Sequence, residues 1–286
     1  MPTGPELSVI VLSYNRRDAL LRTLAHLAAD AATGRAETIV VDNASSDGSA
    51  DAVRNDFPDA RVVALPTNTG VAGFNTGAAL ARGRWLLLLD DDAWPDAGVV
   101  ERALAAYDAD GSVGAIALLP VHPRVHAVEW PFATTPDDRF PFMGCGNIVR
   151  REAWDDAGGY EEAFFLYRND TDLALSILET GRRVVFNPAW RVWHDSPVAD
   201  RKSERWLRLA TRNWLWLCAR HGDAPEAALA GALGVARAVV AAGPSPSRLL
   251  RVAQGVLDSV RDERPRRPAP ARGALGRVLE KRLARK

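Results

Sequence analysis

The sequence predicts an α/β protein with a mostly parallel, Rossmann-like sheet, helices on both faces of the sheet, and a helical extension after about residue 200. Short apolar segments alternate with helical segments through the first 95 residues, an order that predicts parallel strands joined by crossover helices. The run Trp85–Leu89 is apolar at every position, which is typical of a strand buried on both faces at the centre of such a sheet.

The first half of the chain is predicted to contain four strands and three helices. Leu20, Leu24 and Leu27 repeat at helical spacing, and we expect Asp18 to cap the helix that carries them. Pro95 is expected to stop the strand that ends in the aspartates from continuing. The strands are predicted at 7–12, 37–41, 61–65 and 85–89, and the helices at about 18–29, at 49–55, and in a short segment ending near residue 82.

The second half is predicted to continue with alternating elements around a long loop. That loop contains Trp130 and Phe132, aromatic residues suited either to shaping a pocket or to packing on each other. Glycine at 158 is expected to end a short helix. Helices are predicted at about 97–107, 152–157 and 169–180, and strands at 113–119, near 144–151, at 183–186 and at 191–194.

Polar residues follow the strands at the carboxyl edge of the predicted sheet, where ligands of such sheets bind. Asp90 and Asp92 can point the same way because side chains alternate along an extended chain. Two carboxylates there suit Mg2+ or Mn2+ carrying a phosphate, and a solvated turn or a helix cap is the alternative. The loop after the first strand, 13–18, lacks the glycines of dinucleotide and Walker motifs, so the phosphates need another means of binding.

Two later positions are also candidate site residues. Asp170 follows an apolar segment at the start of a predicted helix, where the helix N-terminus is expected to lower its pKa and keep it ionised. A role as a simple helix cap is the alternative. His194 ends another short apolar segment, and a lone histidine is more often structural than a metal ligand.

Taken together, these segments resemble a family 2 glycosyltransferase with the GT-A nucleotide-diphospho-sugar transferase fold, and most closely its rhamnosyltransferase-like and galactofuranosyltransferase-like branches. The resemblance covers roughly residues 6–195. The matching stretches are 7–16, 40–48, 68–77, 87–95, 158–173 and 181–194.

The resemblance implies roles for individual residues. Asp90-x-Asp92 matches the family's DxD motif, with Asp92 the expected direct ligand of Mg2+ or Mn2+ and His194 completing the metal site. Asp170 matches the usual catalytic base, and Asn169 departs from the family because Glu is usual there. Nucleotide-sugar contacts are implied for Ser13, Tyr14, Asn15, Asp42, Asn68, Asn75, Asp90 and Asp91. Weaker acceptor-side contacts are implied for Gly146, Asn147, Asn169 and Trp193.

The resemblance implies an enzyme of the hexosyltransferase class that is inverting and metal-dependent. It would transfer a sugar from a nucleoside diphosphate sugar to a hydroxyl of a glycan, lipid-linked or small-molecule acceptor. Cell-surface polysaccharide or glycoconjugate synthesis is the expected setting. A catalytically weak sugar-nucleotide-binding scaffold protein is the alternative, and Asn169 is its only support in the sequence. A nucleotidylyltransferase would be expected to carry a glycine-rich basic loop after the first strand, which this chain lacks.

Charge is distributed unevenly along the 286 residues, which contain 36 Lys and Arg and 36 Asp and Glu. Residues 200–286 contain 19 basic and 8 acidic residues, so that region carries +11 and residues 1–199 carry −11. We therefore expect a catalytic domain at 1–199, with a nucleotide-binding half at about 1–95 and an acceptor-side half at about 96–199. A basic helical region follows at 200–286, which can contact anionic membrane or pack on the catalytic domain.

Localisation is expected to be cytoplasmic, with a possible peripheral position at the inner face of the membrane. The two cysteines form no disulfide or zinc pattern, which favours a reducing compartment. No signal pattern and no uninterrupted apolar stretch of about 18 residues is present. Nucleic acid is not an expected partner, because the body is acidic and no recognised nucleic-acid-binding module is found.

Overall fold

A computed structural model describes residues 5–30, 33–141, 143–196, 203–262 and 274–283. One eight-stranded sheet is formed by residues between 7 and 194, in the order β3-β2-β1-β4-β7-β6-β8-β5. The strands are β1 (Leu7–Ser13), β2 (Glu37–Asp42), β3 (Arg61–Ala64), β4 (Trp85–Asp90), β5 (Ala93–Pro95), β6 (Val113–Val121), β7 (Asn147–Arg150) and β8 (Arg183–His194).

Ten α-helices lie within the described residues. The helices among the strands of the sheet are α1 (Arg17–Ala29), α2 (Ser49–Asp56), α3 (Gly73–Leu80), α4 (Val99–Tyr107), α5 (Arg151–Ala157) and α6 (Asn169–Glu179). The C-terminal helices are α7 (Glu204–His221), α8 (Ala224–Ala242), α9 (Pro246–Arg261) and α10 (Ala274–Leu283). Residues 264–270 are rich in proline and arginine, a composition that predicts a flexible joint, and they lie outside the described residues.

The sheet is more mixed than the sequence predicts. β3, β2, β1 and β4 are parallel, but β7 lies between β4 and β6 and is antiparallel to both. Two adjacent strands can be parallel only if a crossover, usually a helix, connects them. The chain between β6 and β7 is a loop, so β7 runs in the direction opposite to β6.

Two local predictions were wrong. Asp18 lies in the first turn of α1 and is not its cap, because Arg16 holds the cap position and makes no side-chain cap bond. The two strands predicted at 183–186 and 191–194 form a single strand, β8, with irregular pairing to β6. Strand structure does stop at Pro95, as predicted: β4 ends at Asp90, and the short edge strand β5 ends at Pro95.

The alternation of side chains along β4 divides the core into two layers. Trp85, Leu87 and Leu89 pack in the layer that contains α1, whereas Leu86 and Leu88 pack in the layer that contains α3 and α6. This confirms the prediction that β4 is buried on both faces. Asp90 continues the second set, so its side chain points toward the side of the sheet that carries α6.

The first C-terminal helix, α7, packs on α6 beside the sheet. Trp214, Trp216 and Leu217 of α7 belong to the same apolar cluster as the side chains of α6. Asp172 of α6 is buried, and its carboxylate lies 2.8 Å from both Arg220 Nε and His221 Nε2 of α7. Since Asp172 stands one turn from the start of α6, these contacts fix α7 close to the carboxyl edge of the sheet.

Candidate active site

The three aspartates after β4 point to different partners. Asp91 accepts hydrogen bonds from the Ser13 hydroxyl at 3.0 Å and from the Tyr14 amide at 3.3 Å. The guanidinium of Arg16 lies 3.4 Å from Asp91 and 2.6 Å from Asp92. The loop after β1 therefore supplies both hydrogen bonds and a positive charge to the acidic turn.

Asp92 is the most deeply buried of the three, with 2% of its surface exposed. Strand β5 pairs with β8 so that Ala93 lies opposite His194, which brings Nε2 of His194 within 3.3 Å of Asp92. Neither carboxylate oxygen of Asp92 has a hydrogen-bond partner among the described residues, so only ion pairs meet its charge.

His194 lies within a group of acidic and thiol side chains. Its Nδ1 contacts the carboxylate of Glu129 from the long loop. A ligand atom from each of Asp90, Cys145 and His194 lies within 4.8 Å of the other two. Burial lowers the pKa of His194, but its interactions with Cys145, Asp92 and Glu129 raise it overall.

The electrostatics of this edge favour a bound cation. Burial, reinforced by neighbouring carboxylates, raises the pKa of Asp90 and of Asp91 to about 7. Burial also raises the pKa of Asp92, but His194 and Arg16 together have a larger and opposite effect, so the net shift of this pKa is downward. Hard oxygen donors, a histidine nitrogen and two carboxylate oxygens without hydrogen-bond donors form a donor set that fits a divalent cation.

The loops after β1 and β2, which are predicted to contact the nucleotide, are held together by hydrogen bonds of their own side chains. Asp42 is buried and accepts a hydrogen bond from the Ser45 amide at 3.1 Å. Asn15 accepts a hydrogen bond of 2.7 Å from the Ser46 amide, which joins the loop after β1 to the loop after β2. Tyr14 remains 46% exposed beside them.

Two predicted nucleotide-contact residues use their side chains within the protein. Asn68 accepts a hydrogen bond of 2.8 Å from the Gly70 amide. Asn75 donates to the Tyr160 carbonyl at 2.9 Å and accepts from the Tyr160 amide at 2.9 Å. Asn75 thereby positions Tyr160, which contacts Asp170.

Asp170 lies in the first turn of α6 and accepts a hydrogen bond of 2.7 Å from the hydroxyl of Tyr160. Burial raises the pKa of Asp170 to about 6, although the Tyr160 hydroxyl opposes this shift. The predicted lowering of this pKa by the helix N-terminus was therefore wrong in direction, because loss of solvation outweighs it. A carboxylate with a pKa near neutrality is suited to accept a proton.

The segment that leads into Asp170 has an unusual backbone. Phe165, Tyr167 and Arg168 all adopt positive φ angles, of 59°, 71° and 67°, although none is glycine. The side-chain amide of Asn213 on α7 donates to the carbonyls of Phe164, Leu166 and Tyr167, at 2.9, 2.8 and 2.9 Å. A backbone of this kind persists only when its surroundings hold it, and α7 provides those contacts.

A cavity of about 450 Å³ joins the two acidic sites. Its polar lining includes Asp90, Glu129, Cys145, Tyr160, Asp170 and His194. Its apolar lining includes Phe74, Trp130, Phe132 and Trp206. The interpretation of the long loop as a pocket wall is confirmed for Trp130 and Phe132.

The four predicted acceptor-side residues lie in different surroundings. Asn169 lines the cavity beside Asp170. Asn147 is fully buried and bonds the backbone of Gly144, and Gly146 adopts a φ of 85° against Val192. Trp193 donates its indole hydrogen to Asp96 at 3.2 Å. Of these four residues, only Asn169 lines the cavity.

Four cavity or edge residues were not selected from the sequence, namely Arg16, Glu129, Cys145 and Tyr160. Arg16 was identifiable in principle, since it is the first cation after a strand that ends at the acidic edge. Glu129 lies in a long loop, and Tyr160 is ten residues before Asp170, so no local pattern marks either of them.

Comparison with known proteins gives a consistent family. The sequence model described as "Glycosyl transferase family 2" matches residues 8–170. A succinoglycan biosynthesis protein, ExoO, of Rhizobium meliloti is 35% identical over 121 residues, a match covering 41% of this chain and 34% of that protein. The match therefore spans about a third of the length of that relative.

Two further similarities extend over more of the chain. An N-acetylglucosaminyl-diphospho-decaprenol L-rhamnosyltransferase of Mycobacterium tuberculosis is 27% identical over 235 residues, covering 66% of this chain and 75% of that enzyme. The mannosyltransferase PcManGT of Pyrobaculum calidifontis, solved with GDP-Man and Mn2+, superposes with a TM-score of 0.60 at 22% identity, covering 99% of this chain and 81% of that one. The predicted GT-A fold with a helical C-terminal region is confirmed.

Proposed function

This chain belongs to glycosyl transferase family 2, and from that premise we propose that it transfers a sugar from a nucleoside diphosphate sugar to an acceptor hydroxyl, with inversion at the anomeric carbon. The acceptor is a glycan, a lipid-linked saccharide or a small molecule of cell-surface polysaccharide or glycoconjugate synthesis. One relative is named for succinoglycan biosynthesis, and another is named an L-rhamnosyltransferase of a diphospho-decaprenol compound. The observation that carries the proposal is that Asp90, His194 and Asp170 line one cavity.

The donor side of the cavity is formed by the turn after β4. Asp90, Asp92 and His194 would hold Mg2+ or Mn2+, a donor set supported by the buried carboxylate of Asp92, which lies 3.3 Å from Nε2 of His194. A cation there supplies Lewis-acid neutralisation of charge on the departing diphosphate. Arg16 contributes further positive charge, since it contacts Asp91 and Asp92 and remains partly exposed.

The nucleotide itself is proposed to bind along the loops after β1 and β2. Tyr14 offers an exposed ring for contact with the base, and Asp42 stands at the end of β2 beside that loop. The bonds between Asn15 and Ser46 and between Asp91 and Ser13 keep these loops in place. Asn68 and Asn75 support the site indirectly, through the backbone of Gly70 and of Tyr160.

Asp170 is proposed to remove the proton of the acceptor hydroxyl as that oxygen attacks the anomeric carbon. The hydroxyl of Tyr160 fixes one carboxylate oxygen, which leaves the other available to the acceptor. A positioned base contributes roughly 10²–10⁴-fold to the rate. A single displacement needs only this one carboxylate near the sugar, unlike the pair used in glycoside hydrolysis.

The C-terminal helices are proposed to contact anionic membrane at the inner face, near a lipid-linked acceptor. Within the described residues, one helix, α8, is long and apolar enough by length and composition to cross a membrane, with 17% of it buried. Large apolar side chains are exposed on α8 and α9, notably Val240 at 82% and Val260 at 63%. Because Glu226 and Arg237 interrupt α8, peripheral contact is the form we propose.

The experiment that tests the proposed function is a screen of nucleoside diphosphate sugars with Mn2+ or Mg2+. Purified protein is assayed for thermal stabilisation by each sugar nucleotide and for release of nucleoside diphosphate. We expect one donor to stabilise the protein in a metal-dependent manner and to be turned over by the wild type but not by Asp170→Asn. If sugar nucleotides stabilise the protein but none of them is turned over with any acceptor tested, the result would favour the alternative of a sugar-nucleotide-binding scaffold protein.

A further inference from the structure

Cys145 occupies a position in the candidate metal site that neither the family resemblance nor the DxD motif assigns. It lines the same cavity as Asp90 and His194, and a ligand atom from each of the three residues lies within 4.8 Å of the other two. Cys218, the other cysteine, is buried among the C-terminal helices, with 1% of its surface exposed. The chain therefore contains one cysteine at this site and one away from it.

The backbone around Cys145 holds the thiol at the carboxyl edge of β4. The amide of Gly146 donates to the carbonyl of Leu88 at 2.8 Å, two residues before Asp90. Gly146 has a φ of 85° and would clash with Val192 if it carried a side chain. The backbone next to Cys145 is therefore held against both β4 and β8, the two strands that end in Asp90 and His194.

The spacing of the three side chains matches that of ligands around one metal ion. Bonds of about 2.0–2.3 Å to nitrogen, oxygen and sulfur place neighbouring ligands roughly 3–4.5 Å apart, so only small side-chain shifts are needed. A carboxylate, an imidazole and a thiol also form a mixed donor set. Thiolate favours Zn2+ and other soft cations, whereas carboxylate and water alone suit Mg2+.

We propose that Cys145 is a protein ligand of the metal site, so that the site binds thiophilic divalent cations more tightly than a site built only from aspartates and histidine. The thiol proton passes to solvent as the sulfur–metal bond forms. The proposal rests on the proposed metal site at Asp90, Asp92 and His194 and adds a ligand to it. Zn2+ and Cd2+ are the cations for which Cys145 has the largest effect.

The test is cobalt substitution of the full-length protein after removal of metals by a chelator. Co2+ is added alone and with UDP or GDP, and absorption is recorded for the wild type, Cys145→Ser, Cys145→Ala and the control Cys218→Ser. We expect sulfur-to-cobalt charge-transfer absorption in the wild type and in Cys218→Ser, and its loss in both Cys145 variants. Calorimetry should show that Cys145→Ser binds Cd2+ at least about tenfold more weakly than the wild type. Loss of a residue that only hydrogen-bonds a metal ligand already costs about tenfold to a hundredfold in affinity, and loss of a ligand should cost no less. The affinity for Mn2+ should change less.

Two results would contradict the inference, and they are distinguishable. If Co2+ binds to the wild type without charge-transfer absorption, or if the absorption persists in Cys145→Ser, Cys145 is not a ligand and the aspartate–histidine site stands alone. If Co2+ binds neither to the wild type nor to any variant, in the presence or the absence of a nucleotide, the metal site itself is absent. Circular dichroism of each variant shows whether the fold is retained.

Discussion

The hydroxyl of Tyr160 donates a 2.7 Å hydrogen bond to the carboxylate of Asp170 inside the cavity. Tyr160 is itself held by Asn75 of α3, whose side chain pairs with both backbone polar groups of Tyr160. A residue of the nucleotide-binding half thus orients the proposed base on the acceptor side. The contact also opposes the effect of burial on the pKa of Asp170.

The first prediction concerns the pH dependence of transfer. Because burial raises the pKa of Asp170 to about 6, kcat/KM should rise with pH through about 6 and level off above it. Tyr160→Phe removes a bond that lowers this pKa, so the acidic limb should move to higher pH. The rate on the plateau should fall by roughly tenfold to a hundredfold, the value of a hydrogen bond to a charged group. A Tyr160→Phe profile that coincides with the wild-type profile would contradict the assignment of Asp170 as the base.

The second prediction concerns stability, and its sign follows from the same shift. The pKa of Asp170 is about 6 in the folded protein and near 3.8 in the unfolded chain, so folding favours the protonated form of this carboxyl group. This contribution to stability is fully present below about pH 3.8 and is lost as the pH rises through about 6. Asp170→Asn, which cannot ionise, should therefore be more stable than the wild type at pH 8, by up to about 3 kcal/mol, with little difference at pH 3.5. Urea unfolding at the two pH values measures this, and a uniform offset at both would contradict it.

The arrangement of the site could be predicted from the sequence where the polar residues directly follow apolar strands. Asp90 ends β4, Asp92 follows it by two residues and His194 ends β8, so the register of the sheet alone brings them together. Asp170 was selectable because it begins a helix after an apolar segment. The parallel half of the sheet followed from the alternation of strands and helices.

Other features depend on contacts between segments that are distant in sequence. The antiparallel strand β7 follows from the return path of a loop, which has no periodic signal. Cys145 reaches the site because β7 pairs with β4, and Asn213 reaches the segment before Asp170 because α7 packs on α6. The pKa of Asp170 depends on burial by residues that local sequence does not reveal, which is why its predicted direction was wrong.

The third prediction tests the proposed metal ligands through donor binding. Asp92→Asn keeps the size of the side chain but removes the charge that meets Arg16 and His194, so a divalent cation loses a ligand. Stabilisation of the protein by a sugar nucleotide should then no longer depend on added Mn2+. Glu101→Gln is the matched control, because Glu101 is an exposed carboxylate on α4 and lies outside the cavity. Thermal shift with and without Mn2+ distinguishes the variants, and Mn2+-dependent stabilisation of Asp92→Asn equal to the wild type would remove Asp92 from the site.

The fourth prediction concerns Asn213, which holds the backbone before Asp170 from α7. Asn213→Leu leaves the carbonyls of Leu166 and Tyr167 without this donor, and each unmet buried group costs about 1–3 kcal/mol. The carbonyl of Phe164 also loses Asn213 but keeps the Leu166 amide and the Arg212 guanidinium as donors. Relaxation of the positive-φ segment should then move Asp170, so kcat should fall while the affinity for the donor nucleotide is retained. Thr211→Val is the control, because the Thr211 hydroxyl bonds only the Leu207 carbonyl within the same helix. Equal kcat values for the two variants would show that Asn213 acts on stability alone.

The fifth prediction tests the proposed membrane contact. Val240 is 82% exposed at the end of α8, and Leu250, Leu257 and Val260 on α9 are also exposed, so these helices present apolar surface in a region with an excess of basic residues. The wild type should float with vesicles that contain anionic lipid, and added salt should weaken this binding because it screens the basic charge. Val240→Glu should reduce the bound fraction at every salt concentration, since it places a charge against the lipid surface. Val125→Glu is the matched control, because Val125 is 60% exposed but lies in the loop after β6. Binding of Val240→Glu equal to that of Val125→Glu would exclude α8 from the contact, and wild-type protein that stays in the soluble fraction at low salt would exclude the contact itself.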